Sequence, residues 1–89
     1  MPEPLEIVAT GSPNPNAVKF TLNRVVATQG KTYRDATSAD VGWVRQILGI
    51  PGVTQVFALN NFISINKTPE TDWNVIGPQV EQVLREIFA

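Results

Sequence analysis

The side chains able to do chemistry in this sequence are carboxylates, amines, guanidinium groups, hydroxyls and two indoles; neither cysteine nor histidine occurs in its 89 residues. That removes thiolate metal sites, disulfides and cysteine nucleophiles. It also removes the commonest general base and the commonest neutral metal ligand. The remaining oxygen donors suit calcium or magnesium better than zinc or iron, and carboxylates alone select poorly for iron. The densest acidic stretch, Glu70-Thr71-Asp72, lacks the spacing and turn glycine of a calcium loop. It reads as the start of a helix, with carboxylate charge near the positive end of the dipole. Ser12, Ser38 and Ser64 have no histidine to activate them. Asp35 and Asp40 are the nearest approach to an acid–base pair, but they flank a loop and a helix cap rather than a cleft. The six glycines form neither a dinucleotide fingerprint nor a P-loop. These exclusions point away from an enzyme.

Seven basic against eight acidic residues give a net charge of −1, a poor match for a general binder of nucleic acid or anionic membrane. Lys19, Arg24, Lys31, Arg34 and Lys67, with Phe57 and Phe62 between them, nevertheless outline an alternative. A basic and aromatic sheet face of that kind binds single-stranded nucleic acid. The opening Met1-Pro2-Glu3-Pro4-Leu5 has no basic start and no long apolar run, so it does not read as a signal peptide. No stretch approaches the roughly 20 apolar residues that cross a bilayer. With cysteine absent as well, the expected compartment is the cytoplasm.

The elements that must position these groups follow from periodicity. Length allows one domain over residues 1–89. A hydrophobic share of 43% against a charged share of 17% favours a compact globule over a disordered tail. Leu5–Ala9 alternates briefly, and Ala17–Leu22 alternates cleanly, with Val18, Phe20 and Leu22 on one face. Between them Ser12-Pro13-Asn14-Pro15-Asn16 is a stiff polar loop. Residues 23–37 have little period: Val25-Val26-Ala27 extends the sheet briefly, Gln29-Gly30 turns, and Tyr33 anchors the stretch on the core. Thr37-Ser38-Ala39-Asp40 starts a helix whose stripe is Val41, Val44 and Leu48 with Ile47 beside it and Trp43 off-centre. Gly49 and Pro51 end it. Val53–Leu59 and Phe62–Lys67 form a hairpin about Asn60-Asn61, and both faces of these strands carry apolar groups. Thr71 caps a second helix with an inner face of Ile76, Val80, Val83 and Ile87, widened by Leu84 and Phe88. Pro78 either kinks this helix or begins its main part after a separate turn; one kinked element is preferred. The order β-β-α-β-β-α predicts an α+β two-layer sandwich, a four-stranded antiparallel sheet with two helices on one face.

On this scaffold two features stand out as contact surface rather than chemistry. One is the Pro13-Asn14-Pro15-Asn16 loop with Lys19 on the strand that follows it; the other is Asp72-Trp73, an aromatic early in a helix. These seven residues are the candidate partner-binding site. There are no candidate catalytic or metal-binding residues.

The same segments carry a family resemblance. Pro13-Asn14-Pro15-Asn16-Ala17-Val18-Lys19-Phe20, Ile50-Pro51-Gly52-Val53-Thr54-Gln55-Val56-Phe57, Asn61-Phe62-Ile63-Ser64-Ile65-Asn66-Lys67, and Asp72-Trp73 with the later Pro78 span almost the whole chain in order. Together they resemble the N-terminal domain of the NifU-like (Nfu) scaffold proteins of iron–sulfur cluster assembly. The resemblance implies the same fold and a role as an accessory module that docks a scaffold, carrier or recipient protein. In that family a Cys-x-x-Cys pair in a separate C-terminal domain holds the cluster, and thiolates are the usual cluster ligands. The resemblance therefore implies no cofactor on this chain. Iron or an iron–sulfur cluster would be reached only through a partner or through a cysteine-containing domain missing from this sequence.

Overall fold

The computed structural model describes residues 4–88. Five strands form one antiparallel sheet: β1 (Ile7–Gly11), β2 (Ala17–Leu22), β3 (Ala27–Tyr33), β4 (Val53–Asn60) and β5 (Phe62–Lys67), in the order β1-β2-β5-β4-β3. Two α-helices, α1 (Gly42–Leu48) and α2 (Trp73–Phe88), pack on each other and on the sheet. The α+β class agrees with the sequence; the strand count does not, since there are five strands rather than four.

The extra strand is β3. Residues 27–33 were expected to turn at Gln29-Gly30, but they pair with β4, with a register shift between Ala27 and Lys31. Gly30 allows this. A Cβ there would stand 3.2 Å from Cζ of the Phe57 ring on the neighbouring strand, so the missing side chain lets backbone and ring approach without the ring giving way.

Strand alternation decides which apolar groups enter the core. Phe20, Leu22, Val56, Ala58, Ile63 and Ile65 are buried on the helix side. Phe57, Leu59 and Phe62 are half-buried on the open side. Asn60 takes a left-handed φ of 51° at the turn between β4 and β5, as asparagine tolerates. Asn23 ties the ends of β1 and β2, accepting from the Glu6 amide and donating to the Pro4 carbonyl.

The helices correct several expectations. The predicted start at Thr37–Asp40 is a single 3-10 turn, Ala36–Ser38, capped by Asp35 through the Thr37 amide. Helix α1 begins later, after an extended Val41, with no side-chain cap. Asp40 is drawn away from capping: its carboxylate faces Lys31 Nζ at 3.4 Å and accepts from the Tyr33 hydroxyl. Gly49 ends α1 in a right-handed conformation; the glycine with a left-handed φ, +98°, is Gly52. Trp43, expected off-centre, is buried and meets Phe88 edge-on at 5.4 Å.

In α2 the cap is Asp72, whose carboxylate accepts from the Asn74 amide, while the Thr71 hydroxyl donates to the Thr68 carbonyl. The helix runs unbroken through Pro78, whose missing N–H leaves the Asn74 carbonyl without its usual donor. Ile76, Val80 and Leu84, four apart, are fully buried, whereas Ile87 is exposed. The buried stripe follows the i, i+4 row rather than drifting toward Ile87.

The carboxylates of this corner set an acid response. Asp40 is held below the usual carboxylate range by its own backbone N–H, with Lys31 next, and Asp35 is held low by the Thr37 amide. The unfolded chain, with ordinary aspartates near pH 4, then binds more protons as the pH drops. Stability is therefore expected to fall from about pH 4 downward through the lowered folded values. Urea titrations of the wild type and of Asp40→Asn between neutral and acid pH check this. The variant should lose less stability over that window, and an identical slope would remove Asp40 from the account.

Candidate docking site at the end of β5

The β1–β2 loop is held by its own polar side chains. The Ser12 hydroxyl accepts from the Asn14 amide and donates its one proton to the carbonyl of Asn14 or of Ala17. The Asn14 side chain accepts from the Asn16 amide at 2.9 Å, and the Ala17 amide closes a turn on the Asn14 carbonyl. Two distant contacts anchor the loop. The Trp73 indole N–H donates to the Pro15 carbonyl at 2.9 Å, and Lys67 reaches Asn16 through both its amide and its ammonium.

The result is a recess of about 520 Å³ at the end of the sheet, bounded by Pro15, Asn16, Lys67, Glu70, Asp72 and Trp73. Four of the seven candidate residues, Pro15, Asn16, Asp72 and Trp73, meet here. Pro13 and Asn14 belong to the exposed loop but do not line the recess. Lys19 stands apart on the open face of the sheet, over the Phe62 ring at 4.4 Å.

Lys67 was expected among the solvated basic residues of a sheet rim. Only 9% of it is exposed. Its Nζ donates to Asn16 Oδ1 and the Thr68 carbonyl, both at 3.2 Å, and lies 5.7 Å from the Trp73 ring centroid. Strand alternation contained the signal: Lys67 shares its parity with Ile63 and Ile65 on the covered face.

Trp73 also walls a second hollow. An apolar groove of about 390 Å³ runs between α2 and the first two strands, lined by Ala9, Gly11, Val18, Phe20, Gly77 and Pro78. Gly11 and Gly77 have open space where a Cβ would be. This groove had no counterpart in the sequence reading.

Other chemistries find less support. No Ser-x-x-Lys pair was expected, yet Ser64 and Lys67 stand at that spacing. On a strand, three residues of separation puts the two side chains on opposite faces, so the lysine does not reach the hydroxyl. Asp35 and Asp40 are occupied as described and line no cavity of the set above. Among the described residues no group of three acidic, cysteine or histidine residues could hold a metal ion. No helix among them is long and apolar enough to cross a membrane. Four of the five basic residues of the nucleic-acid alternative divide between the faces: Lys31 and Lys67 lie toward the helix side, while Lys19 and Arg34 sit with the open face, Arg34 bonded to Gln55; the fifth, Arg24, donates to Asn23 just past the end of β2.

Comparison with known proteins adds context to this geometry. The family model described as scaffold protein Nfu/NifU N terminal matches residues 7–89. "Conserved virulence factor C" of Staphylococcus aureus strain USA300 is 31% identical over 71 residues, covering 79% of this chain and 19% of that protein. Its namesake in Staphylococcus haemolyticus is 30% identical over 74 residues, covering 82% of this chain and 20% of that protein. The chain thus spans about a fifth of the length of these relatives. The crystal structure of protein SAV1430 from Staphylococcus aureus superposes with a TM-score of 0.79 at 28% identity, covering 89% of this chain and 98% of that one. A NifU-like protein from Saccharomyces cerevisiae shares the fold, with a TM-score of 0.77 at 24% identity over 92% of this chain and 76% of that one.

Proposed function

This chain belongs to the Nfu/NifU N-terminal scaffold family, and from that premise we propose that it is a non-catalytic docking module of iron–sulfur cluster assembly. Residues 1–89 act as one domain that holds a scaffold, carrier or recipient protein, in the cytoplasm, while the cluster rides on cysteines elsewhere. The observation that carries this reading is the pairing of that family with a sequence free of cysteine and histidine. Thiolates are the usual ligands of iron–sulfur clusters, and imidazoles replace them in some. Contact falls to the recess around Pro15, Asn16, Asp72 and Trp73, with Pro13 and Asn14 at its outer edge and Lys19 as a separate contact on the open face. A rigid aromatic beside preset turn residues suits such a role, because little ordering entropy is lost on binding.

The test is quantitative capture of iron–sulfur assembly proteins by the immobilised chain, comparing wild type, Asn16→Ala and Lys19→Ala. Asn16→Ala, which removes a polar side chain from the proposed contact surface, is expected to lower recovery about fivefold, as loss of one hydrogen bond to the partner would. Lys19→Ala should lower it less, by about twofold, as an exposed rim charge does. Recovery of no assembly protein by the wild type would sink the reading.

A further inference from the structure

Only 9% of Lys67 is exposed, and its ammonium finds two neutral oxygens, Asn16 Oδ1 and the Thr68 carbonyl. No carboxylate among the described residues forms an ion pair with it. An ammonium has three donors, so one donor is left over on the wall of the recess, and the charge meets only two neutral oxygens and the Trp73 ring at 5.7 Å, with no anion among the described residues bonded to it. Buried charges in proteins are normally paired, because an uncompensated one costs free energy. We propose that this recess is a carboxylate subsite, which takes a single aspartate or glutamate side chain of a partner protein onto Lys67. This deepens the docking function above and rests on it.

The surroundings define the rest of the ligand. The recess and the apolar groove share Trp73, and the groove shares Pro78 and Glu81 with a further shallow hollow along α2. A partner chain can therefore pass across the site rather than end in it, which favours a side-chain carboxylate over a chain terminus. The groove suits an apolar residue next to the acid. Glu70 and Asp72 stand exposed on the rim, and the Asp72 carboxylate is already engaged with the Asn74 amide. Their charge repels a run of acids while leaving room for one. The motif is an isolated acidic residue flanked by apolar residues.

Three short peptides test this, acetyl-Leu-Glu-Leu-amide, acetyl-Leu-Gln-Leu-amide and acetyl-Glu-Glu-Glu-amide, titrated at matched ionic strength. The readouts are the Trp73 indole N–H and the Lys67 amide in nitrogen–proton correlation spectra. The Leu-Glu-Leu peptide is expected to bind roughly tenfold more tightly than its Gln counterpart, the effect of one charge-assisted hydrogen bond. It should also bind more tightly than the triple-Glu peptide. Lys67→Met, which keeps the buried aliphatic stem, should abolish the Glu preference. Asn16→Asp keeps the lysine and supplies a carboxylate from within the chain, so it should abolish the preference too. Equal binding of the Glu and Gln peptides to the wild type, a preference that survives Lys67→Met, or no response to any peptide would overturn the proposal. A Glu preference with no capture of assembly proteins would leave this subsite standing and remove the iron–sulfur role. The reverse pattern would remove the subsite alone.

Discussion

Gly52→Ala is expected to cost about 3 kcal/mol of stability, the sum of left-handed strain and steric overlap at one position. Gly52 has φ +98°, in the region that L side chains rarely adopt. A Cβ there would stand 2.5 Å from Thr71 Cγ2 and 2.9 Å from Thr71 Cβ. A long side chain could swing its tip aside, but the struck methyl of threonine sits directly on the branched Cβ, which is itself too close. Its hydroxyl is also committed, donating to the Thr68 carbonyl at 2.8 Å with the Thr68 hydroxyl 3.2 Å away. The Thr68 amide in turn donates to the Gly52 carbonyl. Relief requires the β5–α2 connection to move as a unit, and Thr71 lines the recess beside Lys67. Thermal unfolding should show a drop in Tm on the order of 10–20 °C for a domain of this size. Thr71→Ala should recover part of it in the double variant by removing the struck methyl. Independent, additive effects of the two substitutions would mean that the contact is not the cause.

What could be read from the sequence, and what could not, divides along physical lines. The β4–β5 hairpin was legible as an element from its β-branched and aromatic residues about Asn60-Asn61, but not its inner face, because both faces carry apolar groups. Of the buried face of α2, Ile76 and Val80 were legible, while Leu84 rather than Ile87 completes the row. Strand β3 was illegible because it lies at the edge of the sheet and only its last residue, Tyr33, is buried. An exposed polar segment carries no alternation, and its glycine looks like a turn unless Phe57 is known to lie against it. The start of α1 misled for a different reason. Asp40 has the right chemistry for a cap, but Lys31 and Tyr33 compete for it from β3, and that competition has no local signature.

The same contrast runs through the site. Pro15, Asn16, Asp72 and Trp73 announced themselves by type, as turn formers, an acid at a helix start and an aromatic beside it. Lys67 did not. A lysine ending a strand usually stands in solvent, and its burial depends on Asn16, 51 residues earlier in the chain. The groove was harder still. It consists of what is missing, the side chains of Gly11 and Gly77, and open space appears only when two elements are placed side by side.

Trp73→Ala is the substitution on which the stability of the site and its function should change together. The indole is half-buried, packs against the core, and donates to a carbonyl 58 residues away. Removing it should cost about 2–3 kcal/mol, less than the roughly 3–5 for a fully buried aromatic. Trp73→Phe keeps most of the ring but not the donor, and should cost about 1 kcal/mol. Hydrogen exchange separates the two roles. Without the indole donor, Pro15 loses its tie, so the Asn16 and Ala17 amides should exchange faster in both variants. The amides of Ile63 and Ile65, deep in the sheet, should follow global stability alone. If the loop must be held still to be recognised, partner recovery should fall in both variants. If the ring itself is the contact, Trp73→Phe should retain recovery despite its looser loop. Unchanged exchange at Asn16 and Ala17 in Trp73→Ala would mean that the loop's own bonds, from Ser12 and Asn14, suffice to hold it. The long-range anchor would then have no part in shaping the site.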